Sequence, residues 1–460
     1  MDFNIVIGTD SYKLGHWPLY PMNTDSVYSY FEARTGAKFS WTVFAGLQPI
    51  MTDYLEGSVV TQSKIDAAAR LAAAHFGNDK IFNREGWEYI LHEHGGRLPV
   101  KIRAVPEGTP VPNSNVLMTV ENLDPKCWWL TNHLETILTH VWYSSTVATL
   151  SRKTKEMMKL YMDQTANDEV TAWKLPYMLH DFGYRGTSSI ESAGMGGMAH
   201  LVNFKGTDTI RGIEYAMEYY NSDVCGESVI ATEHSVMCSL GPEGEWKIFK
   251  NAMDVFPTGV ISIVGDSYDI FRAAAEIVGE KLHDQIMNRD GVFVLRPDSG
   301  DPTTTVIKLL KILDSKFEGY RNPKGFKVLN DKVRLIWGDG VDYDGIYDIL
   351  REMKEQGWSA ENIVFGMGGG LLQRVNRDTQ RFAFKCCAQQ RDGEWCDIYK
   401  DPIDTTKVSK KGRLSLVQDD DGNFRTVKEG HVNDILETVF ENGEITKRYT
   451  FDEVRKNAEL

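Results

Sequence analysis

The chain has 460 residues, which allows two or three domains, or one large α/β barrel with an accessory domain. Its formal net charge of −14 argues against nonspecific nucleic-acid binding, and no run of about 20 apolar residues could span a membrane. The N-terminus lacks the features of a signal peptide, and the six cysteines show neither metal-type spacing nor the pattern of a small secreted domain. We therefore expect a cytoplasmic protein with reduced thiols that binds neither nucleic acid nor membrane.

The two ends of the chain share a β-rich pattern. The first 130 residues contain one helical stretch, Gln62 to Phe76, and three strand-like runs, SVYSYFEAR, LPVKIRAVPEG and NVLMTVEN. Residues 384–460 contain two hairpin-like pairs, with Asp-Gly and Asn-Gly turns between alternating residues. We predict that residues 1–135 and 384–460 together form one β-rich domain with some helix.

The middle of the chain, residues 136–383, alternates between strand-like and helical patterns. Seven short apolar runs each end in a polar or glycine-rich turn: KLPYMLH, AHLVNF, ESVIAT, TGVISIV, GVFVL, KVRLIW and NIVF. Amphipathic stretches lie between them, and the turns recur every 25 to 45 residues, roughly the spacing of βαβ units with parallel strands. The sequence therefore predicts an α/β domain, with either a barrel or a doubly wound open sheet, because periodicity does not show closure.

Carboxylates and a histidine stand at the ends of these apolar runs. Asp298 and Asp339 each follow an apolar run closely, and Asp266 occupies a similar position. One such Asp is usually a helix cap or turn former, but three at matching positions indicate a shared hydroxyl-rich or metal-bound ligand. His234 ends another run, where it is either catalytic or held by a hydrogen bond.

Two further turns and one basic segment indicate a ligand with a flat ring and phosphates. Residues 181–185, DFGYR, supply an aromatic ring and a guanidinium, which suit a flat ring beside an anion. The glycine-rich turn 366–370 exposes backbone N–H groups that suit a phosphate, although a plain tight turn is the more common explanation. Residues 374–413 hold ten Lys/Arg against six Asp/Glu, so they form either a site for a small polyanion or a solvated face.

Taken together, these segments resemble the nicotinamide phosphoribosyltransferase family. The resemblance runs in order along essentially the whole chain. It rests on TDSYK (9–13), YSYFEAR (28–34), AVPEG (104–108), TVEN (119–122), WLTN (129–132), HDFGYRG (180–186), AHLVNFKGTDT (199–209), DSYDI (266–270), RPDSG (296–300), GDGVD (338–342), GGGLLQ (368–373), KKGRLSL (410–416) and FDEVRKNA (451–458).

The resemblance implies a fold, an activity and a partner. The fold is an incomplete α/β barrel of the type II phosphoribosyltransferase kind with a β-rich second domain. The activity joins nicotinamide to phosphoribosyl pyrophosphate with Mg²⁺, giving nicotinamide mononucleotide and pyrophosphate in NAD salvage. ATP hydrolysis is coupled to this step through a phosphorylated histidine. The family works as a homodimer in which each active site is completed by the other subunit.

Roles for individual residues also follow from the resemblance. Nicotinamide is assigned to Phe182, Asp208, Arg296 and Tyr12 of the partner subunit. The ribose and its phosphate are assigned to Arg185, Ser228, Asp298, Gly338, Asp339, Gly368 and Gly369. His234 is implied as the phosphate acceptor with Asp266 beside it, and Asp298 as a further catalytic group. Pyrophosphate or ATP is assigned to Arg34, Arg377 and Lys385 of the partner subunit, with Lys407 nearby. No residue is assigned to the metal.

The residue inventory suits this reaction chemically. The attacking pyridine nitrogen carries no proton at neutral pH, so the site must supply alignment and neutralise the leaving pyrophosphate rather than provide a base. Displacement at the sugar carbon passes through a cation-like state, which nearby carboxylates favour. Asp208 favours the amide over nicotinate, because a carboxylate facing a second carboxylate repels it.

Three other functions remain open at this stage. Nicotinate phosphoribosyltransferase differs only in its base, a catalytically silent binding protein would retain the fold alone, and a glycosidase would use paired acids. The chain also departs from the family pattern at two positions. Ala383 replaces a serine near the phosphate site, and Met367 replaces a small polar residue in the glycine-rich turn.

Overall fold

A computed structural model describes residues 3–401, 403 and 408–460, and these residues divide into two compact units. The first, the terminal unit, contains residues 3–149, 216–222 and 376–459 among those described. The second, the barrel unit, contains residues 150–215 and 223–375. The division after residue 149 falls within a long helix, so it lies further along the chain than the predicted boundary at residue 135.

The described residues contain twenty strands. They are β1 (Thr24–Glu32), β2 (Trp41–Val43), β3 (Val100–Ala104), β4 (Pro110–Pro112), β5 (Val116–Asn122), β6 (Leu179–Asp181), β7 (Gly206–Thr207), β8 (Ile230–Ala231), β9 (Thr258–Val264), β10 (Asp290–Arg296), β11 (Tyr320–Arg321), β12 (Lys327–Val328), β13 (Val333–Trp337), β14 (Ile363–Met367), β15 (Ala383–Arg391), β16 (Glu394–Asp397), β17 (Leu414–Gln418), β18 (Phe424–Lys428), β19 (Glu437–Glu441) and β20 (Glu444–Ile445).

Seventeen α-helices accompany these strands in the described part of the chain. They are α1 (Leu47–Tyr54), α2 (Gln62–Phe76), α3 (Arg84–Glu93), α4 (Leu130–His133), α5 (Glu135–Thr139), α6 (Val141–Thr165), α7 (Asp168–Lys174), α8 (Ile190–Leu201), α9 (Ile210–Tyr220), α10 (His234–Met237), α11 (Gly241–Val255), α12 (Ile270–Arg272), α13 (His283–Met287), α14 (Pro302–Phe317), α15 (Tyr343–Glu355), α16 (Gly369–Leu372) and α17 (Phe451–Asn457). A π-helical segment, Ala273–Lys281, joins α12 to α13. No described helix is both long enough and apolar enough to cross a bilayer.

The terminal unit is built on an antiparallel sheet of seven strands in the order β16-β15-β1-β5-β3-β19-β20. Strand β1 lies near its centre, where Tyr28, Tyr30 and Phe31 are fully buried. The predicted hairpins are present as β17–β18 and β19–β20. In the second of these, Asn442 and Gly443 both have positive φ, which the tight turn between two twisted strands requires.

The barrel unit is built on a curled parallel sheet of seven strands in the order β7-β6-β14-β13-β10-β9-β8. At its seam, Thr207 N–H donates to the Glu227 carbonyl over 2.9 Å, and Glu227 N–H donates to the Lys205 carbonyl over 2.7 Å. Two hydrogen bonds thus join the β7 edge to the segment before β8. A complete barrel of this type has eight strands, so the predicted incomplete α/β barrel is confirmed.

Helices α14 and α15 illustrate why the connections are helical. Helix α14 begins at Pro302, where a missing N–H costs nothing, and the Asp301 carboxylate accepts the Thr304 N–H over 2.9 Å. Two amphipathic stretches of the sequence predicted these helices, and their apolar residues are buried: Val306, Leu309, Leu310, Leu313 and Phe317 in α14, and Ile346, Ile349, Leu350 and Met353 in α15. Each helix therefore covers the sheet with the residues whose spacing predicted it.

One predicted strand is wrong. The run AHLVNF begins inside α8, which Ser189 caps by accepting the Ser192 N–H, and the strand that follows is only Gly206–Thr207. The run is apolar because this end of the helix is fully buried: a Cβ added to Gly197 would lie 3.0 Å from the Gly212 Cα of α9. A short apolar run cannot distinguish a buried helix end from a buried strand.

Candidate functional site

The carboxyl ends of the barrel strands surround a cavity of about 710 Å³. Its lining residues come from the turns after β6, β7, β8 and β10, as expected for a barrel whose functional groups collect at this end. They are Phe182, Tyr184, Arg185, Asp208, Glu233, His234, Ser235, Arg296 and Asp298. Six of these nine were predicted from the sequence. Tyr184, Glu233 and Ser235 were not singled out, although each is a direct chain neighbour of a residue that was.

Parallel pairing of β6 with β14 brings the DFGYR turn beside the glycine-rich turn. Asp181 and Met367 are paired in register, and Phe182 N–H donates to the Met367 carbonyl over 3.1 Å. The Phe182 ring lies so close to Gly366 that an added Cβ there would be 1.9 Å from the ring. Only glycine permits this approach, so Gly366 fixes the position of the aromatic ring.

The same ring also lies against the turn after β13. A Cβ on Gly338 would lie 3.1 Å from the Phe182 ring and 3.8 Å from the Asp298 carboxylate. Gly368 also lies against the turn, because its added Cβ would be 3.1 Å from the Phe182 carbonyl oxygen. The aromatic ring is therefore the common neighbour of two loops, the glycine-rich turn and the turn after β13, that the sequence assigned to different parts of a ligand.

Asp208 presents an acceptor to the cavity. Its carboxylate is exposed and accepts a hydrogen bond of 2.6 Å from the Ser228 hydroxyl, while its backbone N–H donates to the Asp181 carbonyl over 2.9 Å. Asp208 follows β7 and Ser228 precedes β8, so this hydrogen bond spans the seam of the barrel. One oxygen of Asp208 retains its capacity to accept a donor from a ligand.

Arg296 is half-buried at the end of β10. Its guanidinium donates to the Thr232 carbonyl over 2.9 Å, and its Nε lies 3.9 Å from the Asp298 Oδ1. The Nε itself is buried without a hydrogen bond in the described structure. Arg296 as a whole lines the cavity, so its guanidinium places a positive charge there beside Asp298.

Three carboxylates that the sequence grouped together lie within electrostatic reach of one another. Burial raises the pKa of Asp339, and the charges of Asp298 and Asp266 raise it further. The mutual repulsion of these three carboxylates is relieved when hydroxyl donors or a cation bind beside them. Carboxylate oxygens are hard ligands, so Asp298 and Asp339 form a donor set that suits Mg²⁺.

His234 is held by one of these carboxylates. Its Nε2 lies 2.9 Å from the Asp266 Oδ1, and the Ser299 hydroxyl donates to the other oxygen of the same carboxylate. Asp266 is almost buried, whereas the His234 side chain is 46% exposed. With Nε2 donating to Asp266, the lone pair on Nδ1 is available to an electrophile from the cavity.

The phosphate residues assigned from the resemblance lie close by. Arg185 is exposed on the cavity wall, and Gly368 and Gly369 begin the short helix α16. Met367 is completely buried, so the departure from the family pattern at this position leaves the exposed face of the turn unchanged. The roles of these residues in binding stay predictions.

The remaining assigned residues belong to the terminal unit. Tyr12 is 60% exposed there. Burial lowers the pKa of Lys385, and the charges of Lys400, Arg34 and Arg377 lower it further, while the charge of Glu135 opposes them. Four cations therefore converge in what we call the cation cluster, of which Lys400 was missed within the basic segment. Lys407 lies outside the described residues.

The comparisons with known proteins agree with this geometry. A family model described as the nicotinate phosphoribosyltransferase (NAPRTase) family matches residues 177–444, and one described as nicotinamide phosphoribosyltransferase, N-terminal domain, matches residues 4–102. The chain is 44% identical to the nicotinamide phosphoribosyltransferase of Xanthomonas campestris pv. campestris (strain 8004), over 99% of this chain and 98% of that one. It is 33% identical to the nicotinamide phosphoribosyltransferase of Acinetobacter baylyi, over 97% and 95% of the two chains.

Two solved structures share the fold. Nicotinate-nucleotide pyrophosphorylase from Pyrococcus furiosus superposes with a TM-score of 0.64 at 17% identity, covering 99% of this chain and 95% of the other. Human nicotinic acid phosphoribosyltransferase superposes with a TM-score of 0.52 at 17% identity, covering 98% and 92%. At these identities the similarity concerns the fold alone.

Proposed function

The chain belongs to the nicotinate phosphoribosyltransferase family, where it groups with the nicotinamide phosphoribosyltransferases, and on this premise we propose that it transfers a phosphoribosyl group to nicotinamide. The donor is phosphoribosyl pyrophosphate, and the products are nicotinamide mononucleotide and pyrophosphate. The observation that carries the proposal is the meeting of an aromatic ring, a carboxylate acceptor and an arginine in one cavity, at Phe182, Asp208 and Arg185.

The base site distinguishes an amide from an acid. Phe182 offers a flat apolar surface for the pyridine ring, and Tyr12 of the partner subunit would cover its other face. Asp208 would accept a hydrogen bond from the carboxamide NH₂, while Arg296 would donate to the carboxamide oxygen. A nicotinate carboxylate would instead face the charge of Asp208, which Ser228 already holds toward the cavity over 2.6 Å.

The reaction needs alignment more than acid–base chemistry. The bond from the pyridine nitrogen to C1 of the ribose forms as the bond from C1 to pyrophosphate breaks, and no proton is transferred. Asp298 and Asp339 would bind the ribose hydroxyls and favour the cation-like sugar. Arg185, with the backbone N–H groups at Gly368 and Gly369, would hold the 5′-phosphate.

Mg²⁺ fits the residues present, because Asp298 and Asp339 combine hard oxygen donors with the repulsion that raises the pKa of Asp339. When bound, the ion supplies positive charge to the departing pyrophosphate. Asp298 and Asp339 would bind the ion, and Asp266 would keep its hydrogen bond to His234.

We assign the coupling of ATP to His234. Its Nδ1 would attack the γ-phosphorus of ATP, forming an N–P bond as the bond to ADP breaks, and hydrolysis of the phosphohistidine would release phosphate. Asp266 would hold the imidazole and stabilise its charged form. The acceptor needs no further base, because Nδ1 is unprotonated when Nε2 donates to Asp266.

The working unit is a homodimer with shared active sites. The barrel unit exposes apolar side chains around β8 and α10, which a second copy would cover: Val229, Ile230, Val236 and Leu240. Arg34, Arg377 and Lys385 of the partner subunit would face the pyrophosphate. The thiols of five cysteines are free, which favours the cytoplasm as the location: Cys127, Cys238, Cys386, Cys387 and Cys396.

One incubation tests the proposal. Purified protein receives phosphoribosyl pyrophosphate and Mg²⁺ with nicotinamide or nicotinate, each with and without ATP, and mononucleotide and phosphohistidine are measured. We expect nicotinamide mononucleotide, formed faster with ATP. Preferential turnover of nicotinate would make the chain a nicotinate phosphoribosyltransferase, and no pyrophosphate release with either base would make it a binding protein.

A further inference from the structure

Gln373 connects the glycine-rich turn to the DFGYR turn. It directly follows α16, and its backbone N–H donates to the Gly369 carbonyl over 3.1 Å. Its side chain reaches the other turn, where the amide nitrogen Nε2 donates to the Gly183 carbonyl over 3.0 Å. One residue therefore joins the two turns that carry the groups proposed for the 5′-phosphate, and it is not itself among the residues assigned to that phosphate.

The same amide packs against Gly186. This glycine ends the 3₁₀ turn Tyr184–Gly186, and its N–H donates to the Gly183 carbonyl over 3.0 Å. A Cβ on Gly186 would lie 2.0 Å from the Gln373 amide nitrogen, so the amide can occupy this position only because a glycine stands there. Gln373 therefore contacts the chain both before and after Arg185.

The end of the turn that carries Phe182 is held by other contacts. The Phe182 N–H donates to the Met367 carbonyl over 3.1 Å, and a Cβ on Gly183 would lie 2.7 Å from the buried side chain of Leu372. Neither contact involves the Gln373 amide. Loss of this amide should therefore release the segment that carries the guanidinium, while the ring proposed for nicotinamide keeps its place.

We propose that Gln373 is a positioning residue for the 5′-phosphate, because it holds Arg185 beside Gly368 and Gly369. A guanidinium binds a phosphate best when its donors and those of the backbone already converge, since less freedom is then lost on binding. Gln373 is itself exposed, so its hydrogen bond should contribute little to the stability of the fold. The inference rests on the proposed function, since it concerns the same phosphate.

The test compares nicotinamide mononucleotide with nicotinamide riboside, which has the same base and ribose but no phosphate. Calorimetric titration gives both dissociation constants for the wild type and for Gln373→Met, whose side chain keeps its length but cannot donate to the Gly183 carbonyl. We expect Gln373→Met to bind the mononucleotide about tenfold more weakly, and the riboside with a change of less than about twofold. The KM for phosphoribosyl pyrophosphate should rise similarly, and that for nicotinamide should not.

Gln418→Met is the matched control. Gln418 is also exposed, and its Nε2 donates to the Gly422 carbonyl over 3.2 Å, but in the β17–β18 hairpin of the terminal unit. We expect it to bind both ligands as the wild type does. Gly186→Ala disrupts the proposed contact from the other side, because the added Cβ would displace the Gln373 amide, and Gly186 has no positive φ that would exclude alanine. It should behave like Gln373→Met.

The outcomes separate the two ideas. A wild type that makes no mononucleotide from nicotinamide refutes the proposed function and this inference with it. If the wild type makes mononucleotide and Gln373→Met binds it with unchanged affinity, the inference alone is overturned. An equal loss of affinity for the riboside also overturns it, because the residue would then support the whole site. If Gln373→Met does not fold, the same measurements on Gly186→Ala decide.

Discussion

The barrel unit and the terminal unit contain charge clusters of opposite sign. In the barrel unit, Asp266 and Asp298 raise the pKa of Asp339, whereas in the terminal unit neighbouring cations lower the pKa of Lys385. Burial is the largest single cause of each shift, and repulsion within each cluster adds to it. Each cluster is therefore destabilised by its own composition, and a ligand of opposite charge relieves the cost. Under the proposed function, a cation and sugar hydroxyls would bind at the first cluster, and phosphates would bind at the second.

Removing the cation cluster should have the largest effect. We expect Lys385→Ala to lower kcat/KM for phosphoribosyl pyrophosphate about 100-fold, because a charged group that stabilises the departing anion is lost. Lys250→Ala, which removes a surface lysine paired with Asp254 over 2.6 Å, serves as the control and should be unchanged. Equal loss in both variants would contradict the assignment.

An experiment that mixes two inactive variants tests whether the cation cluster of one subunit and the carboxylates of the other form one active site. If sites are shared, refolding Lys385→Ala with Asp298→Ala in equal amounts yields heterodimers with one intact site. Random pairing then restores about a quarter of the wild-type rate. Recovery of no activity beyond the sum of the two variants would show that each chain completes its own site.

Loss of the His234 imidazole should affect only the coupling of ATP hydrolysis to mononucleotide synthesis. We expect His234→Ala to lose ATP stimulation and phosphohistidine while keeping residual ATP-independent synthesis of mononucleotide, because the imidazole takes no part in forming the C1–N bond. His75→Ala, at the exposed end of α2, is the control. Unchanged ATP stimulation in the His234 variant would remove this residue from its role.

Neutralising the acceptor at the base should have a smaller effect. We expect Asp208→Asn to lower kcat/KM for nicotinamide roughly tenfold, the loss of one charged hydrogen bond, and to relax the discrimination against nicotinate. Rates with the two bases are compared under identical conditions. If Asp208→Asn keeps its full preference for nicotinamide over nicotinate, another group recognises the carboxamide.

The last prediction concerns stability rather than catalysis. A folded-state pKa near 6, above the ordinary value of Asp, means that Asp181 contributes stability at pH 4 and below, which is lost as pH rises through 6. Asp181→Asn should therefore raise the free energy of unfolding at pH 8, relative to its effect at pH 4, by about 2 to 3 kcal/mol. Denaturant unfolding at the two pH values checks this, and an equal effect at both would contradict it.

The local elements of the barrel could be predicted from the sequence because its patterns are local. Helices α14 and α15 bury the residues whose spacing predicted them, and the acids after β9, β10 and β13 stand at strand ends as expected. The order of strands could not be predicted in this way. The contact between the DFGYR turn and the glycine-rich turn depends on pairing of β6 with β14, which are distant in the chain.

The missed residues share a physical cause. Asp181 has the sequence position of an ordinary turn former, and only its complete burial distinguishes it. Lys400 was hidden among other basic residues, because composition shows excess charge without showing which side chains converge. The family resemblance supplied the residue roles and the dimer, which no periodicity in a single chain contains.

The seam of the barrel separates Asp208 from Ser228, and the two residues are held in place by different hydrogen bonds. Asp208 is anchored to β6 through the Asp181 carbonyl, but Ser228 follows Glu227, whose hydrogen bonds to Lys205 and Thr207 are the ones that join this segment to the β7 edge. A small change in the length of the preceding loop would slide Ser228 past Asp208 while the other strands kept their places. If Asp208 binds the carboxamide as proposed, such a change at the seam would alter the site for the pyridine substituent and leave the residues proposed for the sugar and its phosphate in place.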